Sequence, residues 1–204
     1  QVMLIALGIG PGESDLITVR GAKLLAEADK VFVPGRIARD IVAPFADAEM
    51  LDFPMTDDYE KVRAAMERNC AAIAPAARSG TAVLGILGDP GFYSTFGRLC
   101  DVMRHNYPDI EFKVEPGISS ITAFASRLNL SVNSGLLVTD GSEQRCLVHL
   151  KVRAPRDMMN DLRSQGYNEF HLVERMHMNG ERVYREDDMP ETCDYMSVLF
   201  ARRA

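Results

Sequence analysis

The stretch TAVLGILGDPGFYSTF, residues 81–96, opens on an apolar run whose one polar member is Thr81, then breaks into a Gly-Asp-Pro-Gly turn. A short continuous apolar run is the pattern of a parallel strand covered on both faces, because a strand with one wet face alternates instead. Residues 81–87 therefore predict a buried strand, and a parallel sheet predicts helices on its faces. The turn that follows carries Asp89 as its single charged group and contains no His, Cys or Lys. Chemistry at such a turn relies on backbone groups and shape.

The neighbouring segments supply the expected helices and strands. Residues 2–8 and 30–34 predict strands around a helix over 19–28, with Thr18 as its N-cap. Asp57 with Glu60 three residues later has capping-box character. Val62, Met66, Cys70, Ile73 and Ala77 then recur at spacings of three and four, one apolar stripe on a helix that Pro75 should bend or shorten near its end. A helix over 94–104, a strand over 111–115 and a helix over 119–127 complete the first half. The polar, turn-forming residues 131–134 predict a linker. Beyond it strands predominate, in the segments GLLVTD (135–140), 146–152, 169–174, 181–185 and 195–203, with one helix over 155–165 started by Pro155 at its first position. The fold class expected is α/β: a mainly parallel domain over residues 1–130, a smaller mixed domain over 135–204, and an active-site cleft between them.

Composition narrows the function. With 204 residues and 47% hydrophobic content, the chain can bury an ordinary core. No apolar stretch is long enough to span a bilayer, and no basic segment precedes an apolar core at the start, so neither membrane insertion nor export is expected and the cytoplasm is the expected location. A net charge of −6 disfavours nucleic acid as a partner. Cys70, Cys100, Cys146 and Cys193 stand far apart, and His105, His149, His171 and His177 lack metal-ligand spacing, so no disulfide framework and no metal site is expected.

Three glycine-bearing turns follow three first-half strands: GIGPG at 8–12, GDPG at 88–91 and EPGISS at 115–120. In open α/β sheets such turns gather at the carboxyl ends of the strands, where ligands bind. A nicotinamide-dinucleotide fingerprint is a poor reading of Gly8, Gly10 and Gly12, because the second strand ends in Pro34-Gly35 rather than an acid. The phosphate-loop pattern with its lysine is absent as well.

The blocks GIGPGESDLIT (8–18), GDPGFYSTF (88–96) and EPGISSITAFASRL (115–128) resemble, in order and spacing, the signature blocks of the tetrapyrrole (precorrin) methyltransferases. Phe53-Pro54-Met55 and Tyr93 to Phe96 are similar to the branch that methylates C20 of precorrin-2 or cobalt-factor II. The resemblance implies S-adenosylmethionine as methyl donor, S-adenosylhomocysteine as product, a tetrapyrrole acceptor from the cobalamin pathway, and a homodimer. It carries the cofactor contacts to Pro11, Leu87, Gly88, Asp89, Phe92, Ser119 and Ser120, with Leu150 and Met176 in the second half. Gly10, Tyr93 and Ser94 fall on the acceptor side. Compared with the family, which has a strand, a helix and another strand here, only LLVTDGSEQR (136–145) stands between the linker and residue 146, and the missing element is a second-domain helix.

Asp89 can be read as a catalytic acid or as a carboxylate that holds its loop by accepting backbone N–H bonds; the second reading is favoured because Asp so often serves turns this way. A substrate of many carboxylates needs local basic residues. Arg36 and Arg39 after the second strand are the expected partners, with Lys151 and Arg153 as the alternative. Two further readings remain open: the same fold acting on another ring position or another acceptor, and a non-catalytic family member.

Overall fold

A computed structural model describes residues 2–203. The chain divides into two units, the first running to Leu136 and the second from Leu137.

In the first unit, β1 (Met3–Gly8), α1 (Val19–Glu27), β2 (Lys30–Val33), α2 (Arg36–Val42), β3 (Glu49–Met50), α3 (Tyr59–Ser79), β4 (Thr81–Ile86), α4 (Phe96–Asn106), β5 (Phe112–Glu115) and α5 (Ser120–Arg127) follow in sequence. The five strands form one sheet in the order β3-β2-β4-β1-β5, and every pairing is parallel. The central strands are buried throughout, and their side chains alternate between two cores. Leu4, Ala6, Leu84 and Ile86 join Met66, Ile73, Leu99 and Met103 of α3 and α4 on one face. Ile5, Leu7 and Val83 join Leu25, Ile41 and Val42 of α1 and α2 on the other. Covering both faces is what the uninterrupted apolar runs require.

Local chemistry sets the ends of these elements. Thr18 caps α1 by accepting from the Gly21 N–H at 3.0 Å. Asp58, not Asp57, caps α3 through the Lys61 N–H. The predicted stripe Val62, Met66, Cys70, Ile73 and Ala77 is buried, and α3 continues through Pro75 to Ser79, four residues beyond the proline. Burial pushes the Cys70 thiol up to about 12 and the Cys100 thiol up to about 11, so both stay protonated core residues near neutral pH. Two elements were not anticipated, α2 and the two-residue β3. The fourth helix starts at Phe96 rather than Ser94.

The second unit holds β6 (Cys146–Leu150), α6 (Pro155–Ser164), β7 (Glu169–Glu174), β8 (Arg182–Arg185) and β9 (Ser197–Arg202). Its strands pair antiparallel in the order β6-β9-β7-β8. Burial alternates along β7 and β9, and Phe170, Leu172, Leu199 and Ala201 pack with Met159 and Leu162 of α6. One helix covers one face. Between α5 and β6, residues 128–145 contain neither helix nor strand.

No helix among the described residues is long and apolar enough to cross a membrane. No group of three or more His, Cys, Asp or Glu among them is placed to hold a metal ion.

Candidate functional site

The sheet order places the site of the first unit. From β1 the chain crosses through α1 on one face of the sheet to β2, whereas from β4 it crosses through α4 on the opposite face to β5. Because β1 and β4 are neighbours, the loops leaving their carboxyl ends part to opposite faces, and a topological switch point lies between them. The first and second glycine turns meet there. Gly88 N–H donates to Gly10 O at 2.8 Å, and Gly10 N–H returns a longer bond to Gly88 O at 3.4 Å. The third turn arrives from β5 on the other side of β1.

The three turns touch through bare backbone. A methyl group built on Gly117 would lie 2.2 Å from Gly88 O and 2.6 Å from Gly8, and one on Gly8 would lie 2.4 Å from Gly117 N. No side chain fits in either place. Gly8 and Gly117 were not among the candidate residues, although both lie inside the glycine turns already noted.

Asp89 fastens the second turn to the third. Its Oδ1 accepts from Gly91 N–H at 2.8 Å within its own loop, and its Oδ2 accepts from Gly117 N–H at 3.0 Å across the gap. Both oxygens are engaged by backbone donors, which is the loop-holding arrangement. Ser94 also serves the loop, donating to Pro90 O at 2.6 Å and accepting from Phe96 N–H. Ser119 caps α5 by accepting from Ile121 N–H, which leaves its own O–H proton available.

Around this junction the candidates divide. Pro11 is half-buried on the first turn, Leu87 and Phe92 are exposed on the second, and Ser119 and Ser120 open α5 on the third. Tyr93 takes a positive φ of 50° and stands exposed. These residues border the same strand ends. Arg36 and Arg39 lie on α2, which starts three residues past the end of β2. A recess of about 260 Å³ beside the first turn is lined by Gly12, Ser14, Ile37, Asp40 and Ile41, so the face of α2 turned to it shows an acid rather than either arginine. Arg39 lies 3.6 Å from Asp40. A larger groove, about 520 Å³ between α3 and α4, takes in Arg98, a further basic residue past Tyr93, and its Arg63, Glu67, Arg98 and Asp101 carry both signs of charge.

One buried acid beside the site was not anticipated. Glu115, the last residue of β5 and the first of the third turn, is 3% exposed and pairs with Arg20 at 3.1 Å and with Lys113. Arg20 belongs to the first turn of α1, so this pair joins the helix after the first glycine turn to the strand before the third. Burial by itself raises the Glu115 carboxyl, but hydrogen bonds from Lys113 and Arg20 outweigh it and hold the group below its usual 4.5. A depressed folded value gives stability that is present above the unfolded value and lost as pH falls through the folded one. Glu115→Gln is therefore expected to flatten the acid side of a melting-temperature profile taken between about pH 3 and pH 7. Because both partners are well exposed, its cost at neutral pH should be near 1 kcal/mol. Parallel profiles for the two proteins would refute this role.

The second unit brings Leu150 and Met176 to strand ends. Leu150 closes β6, and Met176 lies two residues past β7. Both are exposed, at 61% and 43%. Lys151, Arg175 and His177 beside them all adopt positive φ, at 60°, 53° and 59°. Such conformations cost on the order of 1–3 kcal/mol each and cluster at ligand sites.

Residues 3–187 match the sequence family described as Tetrapyrrole (Corrin/Porphyrin) Methylases. A protein named probable cobalt-precorrin-2 C(20)-methyltransferase, from Methanocaldococcus jannaschii, is 24% identical, with 97% of this chain and 94% of the relative covered. That alignment runs over 227 positions against 204 residues here, so the relative carries segments this chain lacks. The cobalt-precorrin-2 C(20)-methyltransferase of Salmonella typhimurium is 33% identical across 62% of this chain and 57% of the relative. Among solved structures, a cobalamin synthesis related protein (CobF) from Corynebacterium diphtheriae superposes with a TM-score of 0.53 at 16% identity, covering 98% of both chains, a likeness of fold.

Proposed function

The chain belongs to the tetrapyrrole (corrin/porphyrin) methylase family, and from that membership we propose that it is an S-adenosylmethionine-dependent methyltransferase acting on C20 of precorrin-2 or of cobalt-factor II in cobalamin biosynthesis. The observation that carries the reading is the meeting of three glycine turns at the switch point, fastened by Asp89. A surface of bare backbone there suits a ligand that is held by N–H and C=O groups and by shape.

The residues present fit the donor. Gly88 has a φ of 69°, and the nearest atom to a methyl group built on it is Ser119 Cα at 3.8 Å, so the space over this turn is open. Pro11, Leu87, Gly88, Asp89, Phe92, Ser119 and Ser120 would hold the donor on the first unit; Leu150 and Met176 are the strand-end positions of the second unit to which the family resemblance carries a donor contact. Phe92 and Leu87 offer apolar walls, and Ser119 offers its O–H. Bound there, S-adenosylmethionine supplies a methyl group already activated as a sulfonium, transferred by in-line displacement. The chain's own work is alignment and exclusion of water. Gly10, Tyr93 and Ser94 would face the acceptor, and no side-chain nucleophile is required.

Assignment to C20 rests on the relative that matches almost the whole chain. A relative named for methylation at C(11) matches at 29% identity over a shorter part, so the product must decide the position. Incubation with precorrin-2 and with its cobalt form, followed by mass spectrometry and NMR of the product, should show one added methyl group at C20. A methyl group elsewhere would reassign the substrate, and no methylation of any corrinoid precursor would sink the enzymatic reading. A homodimer is part of the proposal: α5 buries none of its residues, and Phe124 and Leu128 are left exposed. Sedimentation equilibrium should report twice the chain mass.

A further inference from the structure

The carboxyl end of β6 and the turn before β9 hold a basic and aromatic cluster. Lys151 Nζ lies 5.7 Å from the centroid of the Tyr195 ring, and Arg153 Cζ lies 5.2 Å from it. The backbone beneath is stapled. Lys151 N–H donates to Ser197 O at 2.9 Å, Cys193 N–H donates to Arg153 O at 3.1 Å, and the Cys193 thiol donates to Val152 O. Ser197, buried among these groups, closes the turn by donating its O–H to Asp194 O at 2.6 Å. Residues 151–153 and 193–197 thus present their side chains from a fixed frame.

The charges of this frame are unbalanced. Neither Lys151 nor Arg153 forms an ion pair among the described residues. The Met196 N–H bond does most to hold the Asp194 carboxyl below its usual range, and the Arg153 charge is near enough to help, but the direct ion pair of Asp194 is with Arg175. Asp194 accepts from Met196 N–H at 2.8 Å and pairs with Arg175 at 3.2 Å. Glu174 accepts from Asp194 N–H at 2.6 Å and from the Tyr184 hydroxyl at 3.2 Å. Two like charges on one ring repel each other, and each ring contact is worth only about 0.5–1 kcal/mol at an exposed site. A ligand carboxylate would relieve that repulsion and gain charge-assisted hydrogen bonds. Tyr195, Met196 and Leu150 are exposed alongside, at 42%, 47% and 61%, and make an apolar floor next to the cations.

We propose that Lys151, Arg153 and Tyr195 form a cradle for the carboxylate-bearing edge of a flat conjugated macrocycle, the acceptor of the methyl group. The inference rests on the function proposed above and names the residues that take the acceptor's charge. It offers an alternative to Arg36 and Arg39 of the first unit, of which Arg39 already lies 3.6 Å from Asp40. The pairing of an aromatic face with two cations suits a ring-shaped ligand rimmed by carboxylates.

The test is a fluorescence titration of the full chain with uroporphyrin, a stable macrocyclic polycarboxylate, alongside calorimetry with S-adenosylhomocysteine. Arg153→Gln and Tyr195→Ala should each weaken uroporphyrin binding roughly tenfold to a hundredfold, with S-adenosylhomocysteine affinity unchanged. Tyr195→Phe should stay within about threefold, because the ring face remains. Added salt should weaken the wild type more than Arg153→Gln. Arg36→Ala and Arg39→Ala should match the wild type. Normal uroporphyrin affinity in both Arg153→Gln and Tyr195→Ala would overturn the cradle, and so would absence of uroporphyrin binding by the wild type. If the wild type binds uroporphyrin through these residues yet never binds S-adenosylhomocysteine, the methyltransferase reading fails and the cradle stands.

Discussion

Gly117→Ala is expected to abolish S-adenosylhomocysteine binding and to lower stability by about 3 kcal/mol, at the upper end of overpacking effects. The added methyl group would lie 2.2 Å from Gly88 O and 2.6 Å from Gly8, so one of three backbone segments has to move. None is the free end of a flexible side chain. Moving the third turn away also breaks the 3.0 Å bond from Gly117 N–H to Asp89. Gly88→Val strains the same junction differently: its φ of 69° is unfavourable for a β-branched residue, although the space beyond is open. That variant should lose about 1–3 kcal/mol of stability through this strain and fail to bind. Gly97→Ala is the control. Gly97 sits in α4 with nothing within 4 Å of the added methyl group, and the change should stabilise by about 0.5–1 kcal/mol without touching binding. Urea melts and calorimetry on the three variants decide the matter. Gly117→Ala binding with wild-type affinity would mean that the junction of the turns is not the site.

The contrast between these glycines shows what the sequence could and could not say. That residues 8–12, 88–91 and 115–120 are turns at strand ends was legible from apolar runs that stop at glycine. That Gly8, Gly88 and Gly117 touch was not, because it depends on β1 lying between β4 and β5, a strand order that no local pattern encodes. Glu115 was passed over for a related reason. A glutamate at a strand end reads as solvated, and its burial appears only once Arg20 of α1 is known to lie beside it.

The fold followed the same division. β1 and β4 were legible because burial on both faces leaves an uninterrupted apolar run, and the stripe of α3 because burial of one helix face leaves apolar residues at spacings of three and four. The short α2 was not, since its seven residues stand between Pro34-Gly35 and Pro44 and hold only Ala38, Ile41 and Val42 as a buried face. Pairing with β2 alone makes a strand of β3. Pro75 was expected to bend or shorten α3, yet the helix runs on for another turn, where Ala77 is buried in the core against β4 and α4. Asp57 has Glu60 at its third position and Asp58 has Lys61, yet the cap fell to Asp58, whose side chain reaches the Lys61 N–H.

Asp89 is where the two readings of a single carboxylate part most sharply. Its Oδ1 and Oδ2 accept from Gly91 N–H and Gly117 N–H, so a group acting as a proton donor would have to give up one of the bonds that fix the loops. Asp89→Asn keeps one acceptor oxygen but turns the other position into an N–H₂ donor that faces a backbone N–H. The second turn should then part from the third. Losing one charge-assisted bond corresponds to about 1.5–3 kcal/mol, a tenfold to hundredfold weaker S-adenosylhomocysteine affinity. Once the donor is saturating, turnover should remain within about tenfold, because the reaction draws no proton from this group, whereas loss of a general acid or base usually costs roughly 10² to 10⁴. Asp89→Ala removes both bonds and should bind more weakly still. The pair of constants separates the possibilities: weakened affinity with near-normal saturated turnover assigns Asp89 to the junction of the turns, and preserved affinity with a thousandfold loss of turnover would make it the catalytic acid.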